Sequence, residues 1–187
     1  LGAGRASQWR PGRRGWFTNA GGVTANSIAR WNETAWSPLG TGMDGGVVAL
    51  AVLPSGDLVA GGDFTTAGGV SANYIARWNE TAWSPLGTGM DGTVYELAVL
   101  PSGDLVAGGP FTTAGGVSAN NIARWNGTDW SSLGTGMDSV VYALAVLPNG
   151  DLVAGGVFTT AGGVSASRIA RWNAVSYTHL RAHETKA

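Results

Sequence analysis

The chain has 187 residues, of which 31 are Gly and 9 are Trp, and its formal net charge is −1. This length suffices for one domain with a hydrophobic core, and the absence of Cys excludes disulfides, thiolate metal sites and cysteine nucleophiles. No apolar run reaches the roughly 20 residues of a membrane span. Between residues 16 and 173 there is no Lys and the net charge is −6, which disfavours a nucleic-acid partner.

A repeat of 47 residues organises the chain. Aromatic residues keep this step without drift: Phe17, Phe64, Phe111 and Phe158, and Trp31, Trp78, Trp125 and Trp172. A fixed period of this length predicts an architecture in which each copy is one supersecondary unit that is stable only beside its neighbours.

The first 15 residues do not follow the repeat. Residues 2–15 read GAGRASQWRPGRRG, whereas the period demands ALAVLPSGDLVAGG. One codon string encodes the first text and, moved forward by one nucleotide, encodes the second. We therefore interpret 1–15 as a non-native, frame-shifted segment, and 16–173 as the repeat domain.

Each complete copy contains four predicted strands and shows no helical periodicity. An apolar run such as Val94–Leu100 is expected to be buried on both faces, and a Pro-Ser-Gly-Asp turn follows it. The other predicted strands of that copy and the next are Asp104–Gly109, Asn121–Trp125 and Trp130–Leu133, and FTTAGGVS from Phe111 to Ser118 is a predicted loop. Four short strands in 40–50 residues are typical of a β-propeller blade.

The text LVAGG, followed by a loop and IARWNETAWSPLGTGM, resembles the kelch motif. Trp83 and Trp130 match the kelch Trp, while Trp78 and Trp125 stand where kelch repeats often have Tyr. The repeats are also similar to kelch-like repeats of fungal cortical polarity proteins and bacterial surface proteins. The resemblance implies that VYELAVL is the innermost strand and WSPL the outermost. It also implies that the longer loops share one face, where propellers usually bind.

We therefore predict an all-β protein: a partial β-propeller of about four four-stranded blades, the first damaged and the last truncated, in an open arc. Complete propellers have four to eight blades. Missing blades of the same chain, or self-association, are expected to close the ring.

The last 14 residues, 174–187, read AVSYTHLRAHETKA and do not follow the repeat. They resemble translated adapter read-through at the end of an environmental gene fragment, so we interpret them as a non-native, disordered tail and the chain as a metagenomic fragment. His179 and His183 stand four residues apart, but their place in this tail argues against a metal pair.

No catalytic, metal or cofactor site is predicted, because 16–173 contains neither His nor Cys. One Arg recurs in every copy, and we interpret it as structural, paired with an Asp such as Asp57 or Asp104: Arg30, Arg77, Arg124 and Arg171.

Three other periodic features have two interpretations each, and the structural one is preferred for all of them. Asp44, Asp91 and Asp138 form turns rather than bind calcium. Asn32, Asn79 and Asn126 form turns rather than carry glycans. The Trp residues pack between blades rather than stack on sugars.

The predicted function is a non-enzymatic binding scaffold, secreted or on a bacterial surface, that recognises protein or glycan through its loop-rich face. Several near-identical sites could act together through avidity. The alternatives are the propeller portion of a secreted enzyme with catalytic residues elsewhere, or a passive spacer of an adhesin. The candidate contacts are Asp63, Thr65, Thr66, Asn73, Met90, Asp91, Thr112, Thr113, Asn120, Met137 and Asp138.

Overall fold

The computed structural model describes residues 15–173 and the backbone of 177–179. The predictions for 1–14, and for most of the tail, lie outside these residues. The described part contains strands and turns but no helix, and therefore no helix that is long and apolar enough to cross a membrane.

Apart from four two-stranded hairpins, the described strands form three antiparallel four-stranded sheets and one two-stranded sheet. We call these four sheets blades 1 to 4 in chain order. Blade 1 contains Ala29–Trp31 and Trp36–Pro38. From the innermost strand outward, blade 2 contains Val47–Val52, Leu58–Gly62, Ile75–Trp78 and Trp83–Pro85. Blade 3 contains Glu96–Val99, Leu105–Gly108, Ile122–Trp125 and Trp130–Ser132. Blade 4 contains Val141–Val146, Leu152–Gly156, Ile169–Trp172 and Tyr177–His179.

The outermost strand of blade 4 comes from the region expected to be a disordered tail. Tyr177 pairs with Trp172 in the register in which Trp130 pairs with Trp125, and it stands 47 residues after Trp130. Residues 177–179 are thus a strand instead, while the non-native origin of this region stays a prediction.

A small hairpin precedes the third strand of blades 2 to 4 and the first described strand of blade 1. The four hairpins pair Asn19–Ala20 with Val23–Thr24, Thr66–Ala67 with Val70–Ser71, Thr113–Ala114 with Val117–Ser118, and Thr160–Ala161 with Val164–Ser165. The segment predicted as a plain loop is therefore ordered by two-residue strands. Each hairpin lies beside the outermost strand of its own blade.

The core lies between successive blades. One buried cluster joins Val59 and Ile75 of blade 2 to Leu105 and Phe111 of the next repeat, and a second joins Ile122 of blade 3 to Phe158. The innermost strand of blade 3 neighbours those of blades 2 and 4. These contacts place the sheets side by side with their innermost strands together, which confirms the predicted all-β, partial and open propeller.

Burial of the innermost strands is less complete than their sequence predicts. Leu97 packs at Gly61 of the preceding blade and is buried, whereas its counterpart Leu50 is 45% exposed. The third strand shows a similar difference at the other end of the arc, where Ile122 of blade 3 is fully buried and its counterpart Ile169 of blade 4 is 40% exposed. The expected burial of both faces is therefore wrong for the innermost strand of blade 2, beside which the described residues include only the two outer strands of blade 1.

Short turns connect the strands at the edge that we call the turn face. The Leu53 carbonyl accepts a hydrogen bond from the Gly56 amide at 2.9 Å. Gly56 has φ of 90°, a positive value that Gly adopts readily and that the predicted turn requires. In the outer turn, Asn79 Oδ1 accepts hydrogen bonds from the amides of Thr81 and Ala82. This confirms Asn as a turn former at that position.

The Glu80→Gly substitution is expected to raise the free energy of unfolding by about 0.5–1 kcal/mol. Glu80 has φ of 75°, a conformation that costs an L-residue about 1–2 kcal/mol, partly offset by the entropy that Gly loses. Its ion pair with Arg30 is exposed on both sides and contributes little. Urea denaturation followed by circular dichroism measures the change, with Thr81→Gly as the destabilised control. A loss of stability in Glu80→Gly would show that the backbone at Glu80 is not strained.

Candidate binding face

The two long connections of each repeat meet at one edge of the sheets, because successive strands run antiparallel. In blade 2 these connections are 63–74, between the second and third strands, and 86–95, which leads to blade 3. We call the surface that they form with their counterparts the loop-rich face. It contains every candidate contact that the sequence suggested.

A carboxylate clamp joins each repeat to the next on this face. Asp91 Oδ1 accepts hydrogen bonds from the amides of Thr112 and Thr113 at 2.8 and 2.9 Å, and Asp91 Oδ2 accepts one from Thr112 Oγ1 at 2.5 Å. Asp44 binds Thr65 and Thr66 in the same way, and Asp138 binds Thr159 and Thr160. These Asp residues thus have a structural role other than the predicted local turn, because their carboxylates link consecutive repeats.

The clamp shifts the acidity of its carboxylates. The hydrogen bond from the Thr159 hydroxyl, with those from the Thr160 and Thr159 amides, lowers the pKa of Asp138 to about 2. At Asp91, partial burial raises the pKa, but the hydrogen bonds from Thr112 and Thr113 outweigh it and the net pKa is lowered. The carboxylates are therefore ionised at neutral pH, with their oxygens already engaged.

The Asp138→Asn variant is expected to lose less stability in acid than the parent chain. The folded-state pKa lies below the unfolded value of about 3.9, so the contribution of Asp138 is complete above about pH 4 and is lost as the pH falls towards 2. At pH 7 the variant should be the less stable of the two. Urea midpoints from pH 7 to about pH 2.5 measure this, and Asp129→Asn on the turn face is the control. Parallel pH curves for parent and Asp138→Asn would contradict the clamp.

The Asn and Met candidates are used within the fold. Asn73 Nδ2 donates to the Thr88 carbonyl at 3.2 Å, and the Asn73 carbonyl accepts a hydrogen bond from the Met90 amide at 3.1 Å. Asn120 and Met137 repeat this arrangement. The side chains of Met90 and Met137 are buried, so they are not available to a ligand on this surface.

Asp63 lies at the end of the second strand of blade 2. Its Oδ1 accepts a hydrogen bond from the Gly46 amide at 2.6 Å, and its own amide donates to the Gly46 carbonyl at 3.0 Å. The side chain is half-buried, which leaves part of the carboxylate at the surface. Asp63 thus combines a fixed position with partial exposure, as the clamp residues Asp91 and Asp138 also do.

Most of the recurring Arg and Trp residues have the structural roles that the sequence predicts, but Arg30 pairs with Glu80 instead of an Asp, and Trp16 and Trp31 are exposed rather than packed between blades. Arg124 Nε donates to Asp104 Oδ2 at 2.9 Å, and Arg171 pairs with Asp151. Trp83 is buried, and its Nε1 donates to the Leu39 carbonyl of the preceding repeat at 2.9 Å. Among residues 15–173, no three His, Asp or Glu side chains are grouped to hold a metal ion.

Two features of the face escaped prediction because they interrupt the repeat. Tyr95 and Tyr142 stack across blades 3 and 4 with ring centroids 5.7 Å apart, whereas the first copy has Val48 at this position. Beside them, burial raises the pKa of Glu96, where the other copies have Ala49 and Ala143. Comparing the copies position by position, rather than seeking what they share, would have identified these residues.

Side-by-side sheets with alternating turns and long loops define the chain as a β-propeller repeat protein. The family described as "Domain of unknown function (DUF5122) beta-propeller" matches residues 53–80, 100–131 and 147–175. No curated protein sequence matches the chain.

Solved structures similar to the chain include selenomethionine-substituted virginiamycin B lyase from Staphylococcus aureus, at 19% identity and a TM-score of 0.44 over 75% of this chain. A catalytically inactive variant of that lyase with quinupristin gives 20% identity and a TM-score of 0.45 over 76% of this chain. The chain spans 43% and 44% of the lengths of these structures.

Proposed function

We propose that the chain is part of a non-enzymatic scaffold that binds protein or glycan through its loop-rich face, on a cell surface or after secretion. The kelch-like character of the repeats, suggested by Trp83 and Trp130, and an origin as a metagenomic fragment belong to the same proposal.

One observation carries the proposal: the loop-rich face is fixed before any ligand arrives. Every inter-blade connection is held by a carboxylate clamp, and the loops beneath it are held by Asn side chains and by the small hairpins. A rigid surface loses little conformational entropy on binding, which favours affinity. The turn face offers only short turns.

Because the chain has no Cys, a single Cys can be introduced and labelled at a chosen position. The 187-residue protein is screened on a glycan array and against a displayed random-peptide library, and the tightest binder of either class is titrated to obtain its stoichiometry. Thr88→Cys on the loop-rich face and Ser55→Cys on the turn face, both at exposed positions, are then labelled with a bulky maleimide. We expect the label at position 88 to abolish binding and the label at position 55 to leave it unchanged. Binding that is lost only with the label at position 55, or no binding of either class, would refute the proposal.

A further inference from the structure

Only three positions of the 47-residue repeat differ in every copy. At the first position the copies have Trp16, Asp63, Pro110 and Val157; at the second, Ser27, Tyr74, Asn121 and Arg168; at the third, Gly46, Thr93 and Val140. Most other positions are identical, or nearly so, in all copies. We call the residues at these three positions the variable set.

The fold brings the three positions together. They are far apart along the repeat, yet all meet where the second strand of a blade ends on the loop-rich face. The Asp63 amide donates to the Gly46 carbonyl at 3.0 Å, and the Gly62 amide donates to the Tyr74 carbonyl at 3.0 Å. In blade 4, the Val157 amide donates to the Val140 carbonyl at 3.1 Å and the Gly156 amide donates to the Arg168 carbonyl at 3.0 Å.

The residues at the first two variable positions are partly or fully exposed. Two of them also make contacts within the fold, since Tyr74 packs against a buried cluster and Asn121 Nδ2 donates to the Met137 carbonyl at 3.0 Å. Trp16 is 67% exposed and Val157 is 50% exposed, Pro110 and Arg168 are also exposed, and Tyr74 is half-buried.

The backbone hydrogen bond to the second variable position recurs in blades 2 to 4, whereas the bond from the first position is present in blades 2 and 4 and is missing in blade 3, because Pro110 has no N–H to donate. A similar backbone thus presents a different side chain on each of these blades. Positions that served packing alone would be under the same constraint in every copy.

The second variable position argues most strongly that its side chains are used. Ser27, Tyr74, Asn121 and Arg168 have φ between 62° and 64°, a conformation that favours glycine. None of the copies has Gly there, and no two share a side chain. Backbone held in an unfavourable conformation by its surroundings is a recognised feature of binding sites.

The composition of this surface indicates the kind of ligand. Identical sites at a regular spacing would suit a polymer of identical units, whereas the variable set differs from blade to blade and suits a partner without a repeat. Trp, Tyr and Arg are the residues most enriched at protein interfaces and their hot spots. The stacked rings of Tyr95 and Tyr142 add aromatic area to the same face.

The charge of the loop-rich face indicates which kind of protein surface would bind it. In the described part of the chain, this face carries Asp44, Asp63, Asp91 and Asp138, with Glu96 at the start of the adjoining strand, against one basic residue, Arg168 of the variable set. Acidic charge therefore predominates on this face, as it does over residues 16–173, whose net charge is −6. The Arg residues that recur in every copy pair with carboxylates: Arg30 with Glu80, Arg77 with Asp57, Arg124 with Asp104 and Arg171 with Asp151. A partner with a basic contact surface would be attracted to this face electrostatically, and salt would screen that attraction.

We infer that the variable set is the recognition surface of the propeller and that its ligand is a protein with a basic, non-repeating contact surface. This inference rests on the proposed function, because it assigns the residues and the partner class of the same loop-rich face.

The test compares two double variants of the full 187-residue chain. Asp63→Asn with Tyr74→Asn changes the variable set, and Asn is the residue that the third copy has at the second position. Glu80→Gly with Ala82→Asp makes two changes on the turn face that also copy the third repeat, Gly127 and Asp129. Circular dichroism establishes that both variants are folded, and the probe is a displayed random-peptide library, with a glycan array in parallel.

We expect the enriched peptides to be rich in Lys and Arg, and their affinity to fall with salt. Their affinity should fall at least tenfold for the variable-set variant and less than twofold for the turn-face variant. Enriched peptides that are not basic, or that bind the two variants equally, would overturn the inference. Glycan binding without peptide binding would overturn it too while leaving the proposed function intact, and the absence of both would overturn the two together.

Discussion

Replacing Trp130 by Ala is expected to lower the free energy of unfolding by about 3–5 kcal/mol, the cost of removing a large buried aromatic side chain. Trp130 lies on the outermost strand of blade 3 and is buried. Its Nε1 donates to the carbonyl of Leu86 in the preceding repeat at 3.0 Å, and its ring lies 5.4 Å from that of Trp125. The substitution therefore removes both packing within the blade and a hydrogen bond between repeats. Urea denaturation followed by circular dichroism measures the loss.

Two variants separate these contributions. Trp130→Phe keeps an aromatic ring but removes the donor, so the buried Leu86 carbonyl loses a partner at a cost of about 1 kcal/mol or more. Trp36→Ala changes the same repeat position in blade 1, where the side chain is only half-buried, and its effect should be distinctly smaller. Equal losses for Trp36→Ala and Trp130→Ala would contradict the link between repeats.

Replacing Gly61 by Ala is expected to cost about 1–3 kcal/mol through overpacking. A Cβ at position 61 would stand 2.5 Å from Val94 Cγ1 and 2.9 Å from Val94 Cβ. Val94 belongs to the next repeat and is fully buried, so relief requires blades 2 and 3 to move apart. The glycine at the end of the second strand thus sets how closely neighbouring blades approach.

The chain contains its own control for this prediction. Gly155 occupies the same repeat position in blade 4, and a Cβ there would meet nothing nearer than Ala143 Cβ at 3.9 Å. Gly155→Ala should leave stability unchanged or raise it slightly, since Ala is favoured over Gly within a strand. A comparable loss in both variants would show that the effect of Gly61→Ala is not due to inter-blade packing.

The structural elements that recur in the repeat could be predicted, because the same residue types stand at the same positions in several copies. The Pro-Ser-Gly-Asp turn and the Arg124–Asp104 pair follow from residues that recur in the repeat. The order of the strands was implied by the resemblance to kelch repeats, and the structural role of Asp91 was predicted without its partner in the next repeat. The fold class could be predicted for the same reason, since 47 residues accommodate four short strands and their turns.

What depends on contacts between repeats could not be predicted from one copy. Met90 stands in a Gly-rich, polar stretch and so reads as a surface residue, yet it pairs with Ala114 and is buried. The exposure of Leu50 depends on which neighbour covers it, and the strand at Tyr177–His179 depends on an available edge of blade 4. Of the variable set, Asp63 alone was identified from the sequence, because the set consists of the positions that the period does not preserve.

The proposed binding face exists only if the innermost strands of successive repeats stand side by side around one axis. The most direct test is cross-linking of Tyr95→Cys with Tyr142→Cys by a short bis-maleimide, since the two rings lie 5.7 Å apart on neighbouring blades and the chain has no other Cys. We expect fast intramolecular cross-linking of this pair, and slower cross-linking of Val48→Cys with Tyr142→Cys, which belong to blades 2 and 4. Equal rates for the two pairs, or no cross-link between positions 95 and 142 in the folded protein, would contradict the radial arrangement.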